Sequence, residues 1–271
     1  MKSIIVVSDL HIGSNAGLCP PEGFQLPDGN IYTQNKFQKT TWRYWQDFWN
    51  KFVPQETEGS DKKIIIINGD LIDGVHHETV NIMSNSIEYQ EFAAIQILGN
   101  LNKYDGIYIV RGTETHANKG CASEELIARA INAQKLETGQ YSDYQLNIMM
   151  DDVLINFAHH IGVTSSAAYE TSAPMRELIA SLIEAEQWGR KMPNLIVRSH
   201  RHRFVPVSIP SINGRVNCII TPGWQLKTPN VERIDRMRMP HIGGVVINIE
   251  NKTCIIKEKL YLLPQPKSII I

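Results

Sequence analysis

Aspartate and histidine residues follow directly after short apolar runs at several places along the chain. Asp9 and His11 come after the run at 4–7, and Asp70 comes after the run at 64–67. Carboxylate oxygens and imidazole nitrogens are the ligands that Mn, Fe and Zn accept in proteins. The residue types therefore indicate a divalent metal site built from distant parts of the chain. Histidines recur in the same setting at His116, at the pair His159 and His160, and at the pair His200 and His202.

The spacing of these residues suits two ions rather than one. Asp9 and His11 are two residues apart, as are His200 and His202, so each pair can reach a single ion from an extended or turning segment. Asp70 follows a glycine and has two carboxylate oxygens, with which it can bridge two ions. Two ions about 3.5–4 Å apart can bind a phosphate ester, activate a water and stabilise the leaving oxygen.

Each of these patterns also has an ordinary structural explanation. A lone Asp-x-His is often a capping aspartate beside a surface histidine, a lone Gly-Asp is usually a turn, and His-x-His can be a solvated strand end. The combination, in this order and always after an apolar run, favours the metal site.

The elements that position these residues are strands alternating with helices. The β-branched runs are short and continuous, which suits strands covered on both faces. Apolar residues at helical spacing lie between them, at 45–52 and 92–101. This alternation predicts a largely parallel sheet, with ligand sites at the carboxyl ends of its strands. We therefore expect the polar clusters to meet on one rim, and the runs at 216–221, 244–249 and 254–260 to form a mixed or antiparallel second sheet.

Composition excludes some classes of protein. Of the 271 residues, 42% are hydrophobic, which suffices for a large core, and the net charge is −1. A near-neutral chain has no overall attraction to nucleic acid or to an anionic membrane. No apolar run approaches the roughly 18 residues that a membrane span needs, so no membrane partner is predicted. The four cysteines form no CxxC pair, which favours a reducing cytoplasm over a disulfide framework.

Three segments resemble the motifs of one known family. Asp9-Leu10-His11, Gly69-Asp70 and His200-Arg201-His202 look like the first, second and last motifs of the calcineurin-like metallophosphoesterases. The resemblance implies an α/β fold, a four-layer α/β/β/α sandwich of two mixed sheets flanked by helices, as a single domain spanning 1–271. It further implies two divalent metal ions, with Mn favoured over Fe and Zn. Asp9, His11 and His202 would bind one ion, His200 would bind the second, and Asp70 would bridge them.

The third and fourth motifs depart from the family pattern. The family's Gly-Asn-His followed by an acid is replaced by Gly112-Thr113-Glu114-Thr115-His116, a GTExH variant that looks like phage or prokaryotic members. By analogy, Glu114 would replace the asparagine as a ligand of the second metal, and His116 would be the catalytic acid. The alternative is that Glu114 merely caps a helix. In the fourth motif, alternation through Ile155 and Phe157 favours His159 over His160 as the ligand.

The implied reaction is hydrolysis of a phosphate ester by a metal-bridging hydroxide, with Asp70 and His116 as catalytic residues. We favour a phosphodiesterase, including a nuclease, so the substrate could be a nucleotide or nucleic acid. The alternatives are a phosphomonoesterase, a protein phosphatase, or a non-catalytic metal-binding scaffold of the same fold. The oligomeric state is left open.

Candidate phosphate contacts are Arg111, Arg201 and Arg203, each equally suited to a surface ion pair. Candidate specificity loops are 14–35 and 224–243. The second loop carries Lys227, Arg233, Arg236 and Arg238.

Overall fold

The structure of the chain is a computed structural model, which describes residues 1–76, 81–162, 166–212, 214–228 and 239–263. Most of its elements belong to two large sheets and the helices that flank them. The strands are β1 (Lys2–Val7), β2 (Phe24–Gln25), β3 (Ile31–Tyr32), β4 (Lys62–Asn68), β5 (Gly106–Val110), β6 (Ser142–Asp143), β7 (Gln145–Met150), β8 (Val153–Ala158), β9 (Leu195–Arg198), β10 (Val205–Ser211), β11 (Gly214–Ile220), β12 (Ile242–Glu250) and β13 (Thr253–Tyr261). The α-helices are α1 (Lys36–Asp47), α2 (Val53–Glu56), α3 (Ile87–Leu98), α4 (Glu114–Ala117), α5 (Ala122–Ala130) and α6 (Ser172–Trp188).

The first sheet has six strands in the order β13-β12-β1-β4-β5-β6. β1, β4, β5 and β6 are parallel, with Ile4 beside Ile64 and Ile65 beside Ile107. β12 and β13 add to the free edge of β1 in the antiparallel sense. The parallel strands direct three carboxyl ends, those of β1, β4 and β5, toward the same edge.

The second sheet has five strands in the order β10-β11-β9-β8-β7. Its centre is parallel, because β9 pairs in that sense with both β8 and β11. β7 and β10 complete the two edges in the antiparallel sense. The short pair β2 and β3 forms a separate antiparallel hairpin.

The two sheets pack face to face. Successive residues of a strand point to opposite faces, so one strand can contribute side chains to two different cores. In β1, Ile4 and Val6 lie in the core between the sheets, together with Phe157 and Val197 of the second sheet. Ile5 and Val7 point the other way, into the core beneath α1, α3 and α5. On the far side of the second sheet, Leu178 of α6 packs against β9, β10 and β11. The order of layers is helix, sheet, sheet, helix, so the expected α/β/β/α sandwich of two mixed sheets flanked by helices is confirmed.

The assignment of strands to sheets differs from the expectation that one largely parallel sheet carries all the polar clusters. β8 and β9, which carry two of the polar clusters, belong to the second sheet, whereas β12 and β13 join the first. The expectation was wrong here because apolar runs covered on both faces look alike in either sheet, and strand pairing is decided by contacts distant in sequence. No helix in the described ranges is long and apolar enough to cross a bilayer.

Candidate metal centre

The polar clusters meet where the carboxyl ends of strands from both sheets lie side by side. β1 leads to Asp9 and His11, and β4 leads to Asp70. From β5 the chain turns into α4, which carries His116. The second sheet contributes the residues that follow β8 and β9. The structure brings seven predicted site residues together, namely Asp9, His11, Asp70, His116, His159, His200 and His202.

Three of these residues form what we call the first trio: Asp9, His11 and His202. One ligand atom from each lies within 4.8 Å of the others. Nε2 of His11 is 3.1 Å from Nε2 of His202, which is in turn 3.4 Å from Oδ1 of Asp9. Two imidazole nitrogens and a carboxylate oxygen therefore converge on one point.

The second trio is Asp70, His159 and His200, and its ligand atoms meet the same 4.8 Å limit. Oδ2 of Asp70 lies 3.1 Å from Nε2 of His159 and 3.9 Å from Nδ1 of His200. The trios adjoin, because His159 Nε2 is 3.8 Å from Oδ1 of Asp9. Asp70 also comes within 4.8 Å of ligand atoms of His11 and His116, so it lies between the two trios.

Five of the six trio residues have left-handed backbone conformations. The φ angles are 52° at Asp9, 43° at His11, 53° at Asp70, 69° at His200 and 49° at His202. Such a conformation costs a non-glycine residue roughly 1–2 kcal/mol. Main-chain hydrogen bonds hold it, since Asp9 N donates to Gly69 O at 3.0 Å and His11 N donates to Asp70 O at 3.1 Å. Strain concentrated at one cluster indicates that its side chains are held for a purpose other than stability.

Hydrogen bonds orient three of the imidazole rings. Nδ1 of His159 lies 2.7 Å from the carbonyl oxygen of Asn68, and Nδ1 of His116 lies 2.6 Å from that of Asp73. A carbonyl oxygen only accepts, so each Nδ1 must carry the proton. Nδ1 of His11 makes the same kind of bond to Oδ1 of Asp73, at 3.1 Å. In the neutral rings Nε2 then keeps its lone pair for the cluster, as metal-binding histidines require.

The buried charge of the cluster is not balanced by hydrogen bonds. Within the described residues, Oδ1 of Asp9 and Nε2 of His159 are buried and make no hydrogen bond of good geometry, although each lies within ion-pair distance of an oppositely charged group. Burial opposes protonation of His159, yet the carboxylates of Asp70 and Asp9 raise its pKa to about 10. Despite its own burial, Asp9 has its pKa lowered to about 2 by His202 and His159. Carboxylates that stay ionised in an apolar interior and stabilise positive charge beside them fit divalent cations.

Further residues support the trios and were not predicted from the sequence. Besides holding His11, Oδ1 of Asp73 accepts from Nε2 of Gln225 at 3.0 Å, and the same Nε2 reaches Ser14 Oγ at 3.0 Å. The only sequence signal for Asp73 was its position three residues after Asp70. Ser14 and Gln225 lie in the two predicted specificity loops, but nothing in the sequence distinguished them from their neighbours, because their contacts join segments more than 150 residues apart.

Glu124 is a second unpredicted support. Its side chain is fully buried, and its carboxylate accepts from Gly112 N at 2.7 Å and from Leu71 N at 3.4 Å. Burial and the nearby charge of Asp70 raise the pKa of Glu124 to about 7. Glu124 is the third residue of α5, but its oxygens turn away from its own helix.

Glu114 does not lie with the other predicted ligands. It is exposed at the first position of α4, where its Oε1 accepts from Gly120 N at 3.2 Å. The preceding residue takes the inward position instead, since Thr113 donates from both N and Oγ1 to Oδ1 of Asp70, at 2.7 and 3.1 Å. The geometry therefore gives no support to Glu114 as a ligand of the second metal, because a helix start directs its side chain outward.

The structure separates the two histidines that end β8. His159 is 1% exposed and faces Asp70 and Asp9. His160 is exposed, and its ring lies 5.0 Å from that of His200 at the outer side of the second trio. Alternation along the strand places only the first of them inside.

The three arginines predicted to contact phosphate have different surroundings. Arg111 donates to Ser142 Oγ and Gln140 Oε1 and lies 3.6 Å from Glu125, so it ties α5 to β6. Both oxygens of Glu170 accept from Arg203, at 3.1 Å each. Arg201 donates to the Gly162 carbonyl at 3.3 Å.

Arg201 and Arg203 line a cavity of about 240 Å³ beside His200 and His202. The cavity is also lined by Gln225–Thr228 and by Met239 and Pro240. Lys227 thus lies beside the site, whereas the other predicted cations of this loop, Arg233, Arg236 and Arg238, fall outside the described residues. In the other predicted loop, Leu18 and Cys19 are fully buried and belong to the core.

No family model and no curated protein matches the chain. Solved structures with a similar chain trace include an archaeal phosphodiesterase, which is 12% identical in sequence. The match covers 96% of this chain and 99% of that chain, with a TM-score of 0.43. Vps29 of Chaetomium thermophilum is 11% identical and covers 98% of each chain, with a TM-score of 0.42. A metallophosphoesterase from Sphaerobacter thermophilus is 11% identical, covering 96% of this chain and 89% of that chain, with a TM-score of 0.38. Because these TM-scores are below 0.5, we infer the function of the chain from the geometry of the site.

Proposed function

We propose that this chain is a single-domain, metal-dependent phosphoesterase of the calcineurin-like type. The first trio, Asp9, His11 and His202, would hold one divalent ion, and His159 and His200 would hold a second. Asp70 would bind both. One observation carries the proposal: two adjoining trios of carboxylate and imidazole share a buried aspartate that reaches ligand atoms of both.

Side chains around the proposed metal site would have specific roles in such a reaction. Two divalent ions at this site would supply Lewis acidity toward the phosphoryl oxygens and lower the pKa of water. Asp73 holds His11 by its carboxylate and His116 by its carbonyl, so both rings turn Nε2 toward the cluster. His116 packs edge-on against His11, with ring centroids 4.5 Å apart, and burial lowers its pKa to about 4. To act as the general acid for a leaving oxygen, it would first have to take up a proton on Nε2.

A phosphodiester suits this site better than a monoester. A diester carries an organic group on each side of the phosphorus, and the second group needs space beside the ions. The cavity of about 240 Å³ next to His200 and His202 provides that space, and Leu226, Met239 and Pro240 give it an apolar wall. This wall would bind an organic substituent by burying its apolar surface.

The experiment combines elemental analysis with parallel assays on bis(p-nitrophenyl) phosphate and p-nitrophenyl phosphate, after chelation and reloading with Mn, Fe or Zn. We expect two ions per chain, faster turnover of the diester, and the highest rate with Mn. Two bound ions with no turnover of either ester would favour the metal-binding scaffold. Fewer than one ion per chain at saturating metal would overturn the proposal.

A further inference from the structure

Glu124 occupies an unusual place beneath the candidate site. It is the third residue of α5, where a glutamate often folds back to cap its own helix. Here no side-chain cap forms, and both carboxylate oxygens leave the helix. They accept from the main-chain N–H groups of Leu71 and Gly112.

These two N–H groups belong to the loops that follow β4 and β5. Leu71 comes directly after Asp70, and Gly112 comes directly before Thr113. The fully buried carboxylate of Glu124 therefore joins the two loops at the point where the site is built. The bond to Gly112 N is short, at 2.7 Å, and the bond to Leu71 N is longer, at 3.4 Å, so one side chain links both loops.

The loops also meet through Asp70 itself. Oδ1 of Asp70 accepts from N and Oγ1 of Thr113, and this turns Oδ2 toward His159 and His200. The approach is close, because a Cβ added to Gly112 would lie 2.2 Å from Oδ1. A small shift of one loop against the other would therefore rotate the shared carboxylate.

We infer that Glu124 is a positioning residue: by joining these two loops it holds the Asp70 carboxylate in the orientation in which it can bind both ions. The inference rests on the proposed function. Glu124 acts on Asp70 through its hydrogen bonds to Leu71 N and Gly112 N, because these residues adjoin Asp70 and its partner Thr113.

The test is Glu124→Gln with Glu125→Gln as the matched control. Glutamine keeps the shape but has one accepting oxygen, so its amide N–H would face one of the two main-chain donors. Glu125, the next residue of α5, accepts from Tyr141 N and Ser142 Oγ, away from the trios. Calorimetric titration with Mn²⁺ and the melting temperature of the metal-free protein are measured for both variants.

For Glu124→Gln we expect Mn²⁺ binding about 10–100-fold weaker, as for other partners that orient metal ligands. Excess Mn²⁺ should restore much of the turnover. Glu125→Gln should bind Mn²⁺ within about twofold of wild type, since its carboxylate accepts from Tyr141 N and Ser142 Oγ and not from the N–H groups of Leu71 or Gly112. A lower melting temperature with unchanged Mn²⁺ affinity in Glu124→Gln would show a structural role only and overturn the inference.

Glu124→Asp is the second variant, in case glutamine prevents folding. It keeps the charge but is one methylene shorter, so it cannot span both N–H groups, and we expect an intermediate loss of affinity. If wild type binds two ions and neither variant changes their affinity, the positioning role fails and the proposed function stands. If wild type binds none, the proposed function itself fails. If neither variant folds even with Mn²⁺, the residue is structural and the inference is overturned.

Discussion

The two trios differ in what holds their histidines. In the first trio, His11 is held by the carboxylate of Asp73, which Gln225 holds in turn. In the second, His159 is held by the neutral main-chain carbonyl of Asn68. An anionic partner makes an imidazole a stronger ligand than a neutral one does. If both trios hold an ion as proposed, the first trio would therefore bind its ion more tightly.

The exposure of the histidine side chains also favours tighter binding by the first trio. The side chain of His202 in the first trio is 20% exposed, whereas that of His200 in the second is 36% exposed. Glu114, which the sequence suggested as an added carboxylate for the second ion, lies outside the cluster. A catalytic pair of this kind would have one tightly bound ion and one that exchanges more readily.

The largest effect is expected from Asp70→Asn, which removes the carboxylate that both trios share. Turnover of the diester should fall by roughly 10³-fold, and bound metal should drop from two ions toward one, because the amide cannot neutralise two cations. Elemental analysis and steady-state kinetics measure both effects. Two ions at wild-type affinity would show that Asp70 does not belong to the shared position.

The difference between the trios can be tested directly with Asp73→Asn. This change keeps the shape of the side chain but removes the charge behind His11, so the tighter of two binding steps should weaken by about 10–100-fold. The weaker step should change little. Stepwise calorimetry with Mn²⁺ resolves the two, and selective loss of the weaker step would reverse our ranking.

The affinity for Mn²⁺ should rise with pH. The raised pKa of His159, about 10, means that this ring is protonated in the metal-free protein at neutral pH. It must lose that proton to bind an ion, so affinity should increase about tenfold per pH unit between roughly pH 7 and 9. Calorimetry in buffers of different ionisation enthalpy counts the released protons. Affinity that does not depend on pH would mean that His159 is not a ligand.

The same shift affects the stability of the metal-free protein. Because the folded pKa lies above the ordinary value of 6.5, His159 contributes stability that is fully present below about pH 6.5. This contribution is lost as the pH rises toward 10. A melting temperature followed across that range should show the decline only after chelation.

The smallest effect is expected from Glu114→Gln. Its carboxylate is exposed and accepts from Gly120 N, so Mn²⁺ affinity and turnover should stay within about twofold of wild type. Loss of one ion in elemental analysis would restore Glu114 as a ligand of the second trio and show that α4 rearranges on metal binding.

Much of the layout could be read from local pattern. The runs before Asp9 and Asp70 are apolar and β-branched because these strands are covered on both faces, and the change to polar residues marks the edge at which they end. Alternation along β8 sufficed to favour His159, since a strand turns successive side chains to opposite sides. Such features depend on neighbouring residues only, and a sequence displays them directly.

Other features were decided by the tertiary structure alone. The membership of β8 and β9 in a second sheet and the contacts of Asp73 and Glu124 depend on segments that pair or pack far apart in the chain. The sequence by itself determined which residue types stand at the ends of strands. Which strands share an edge, and which side chains face inward there, followed from long-range packing, because local periodicity is the same in either sheet.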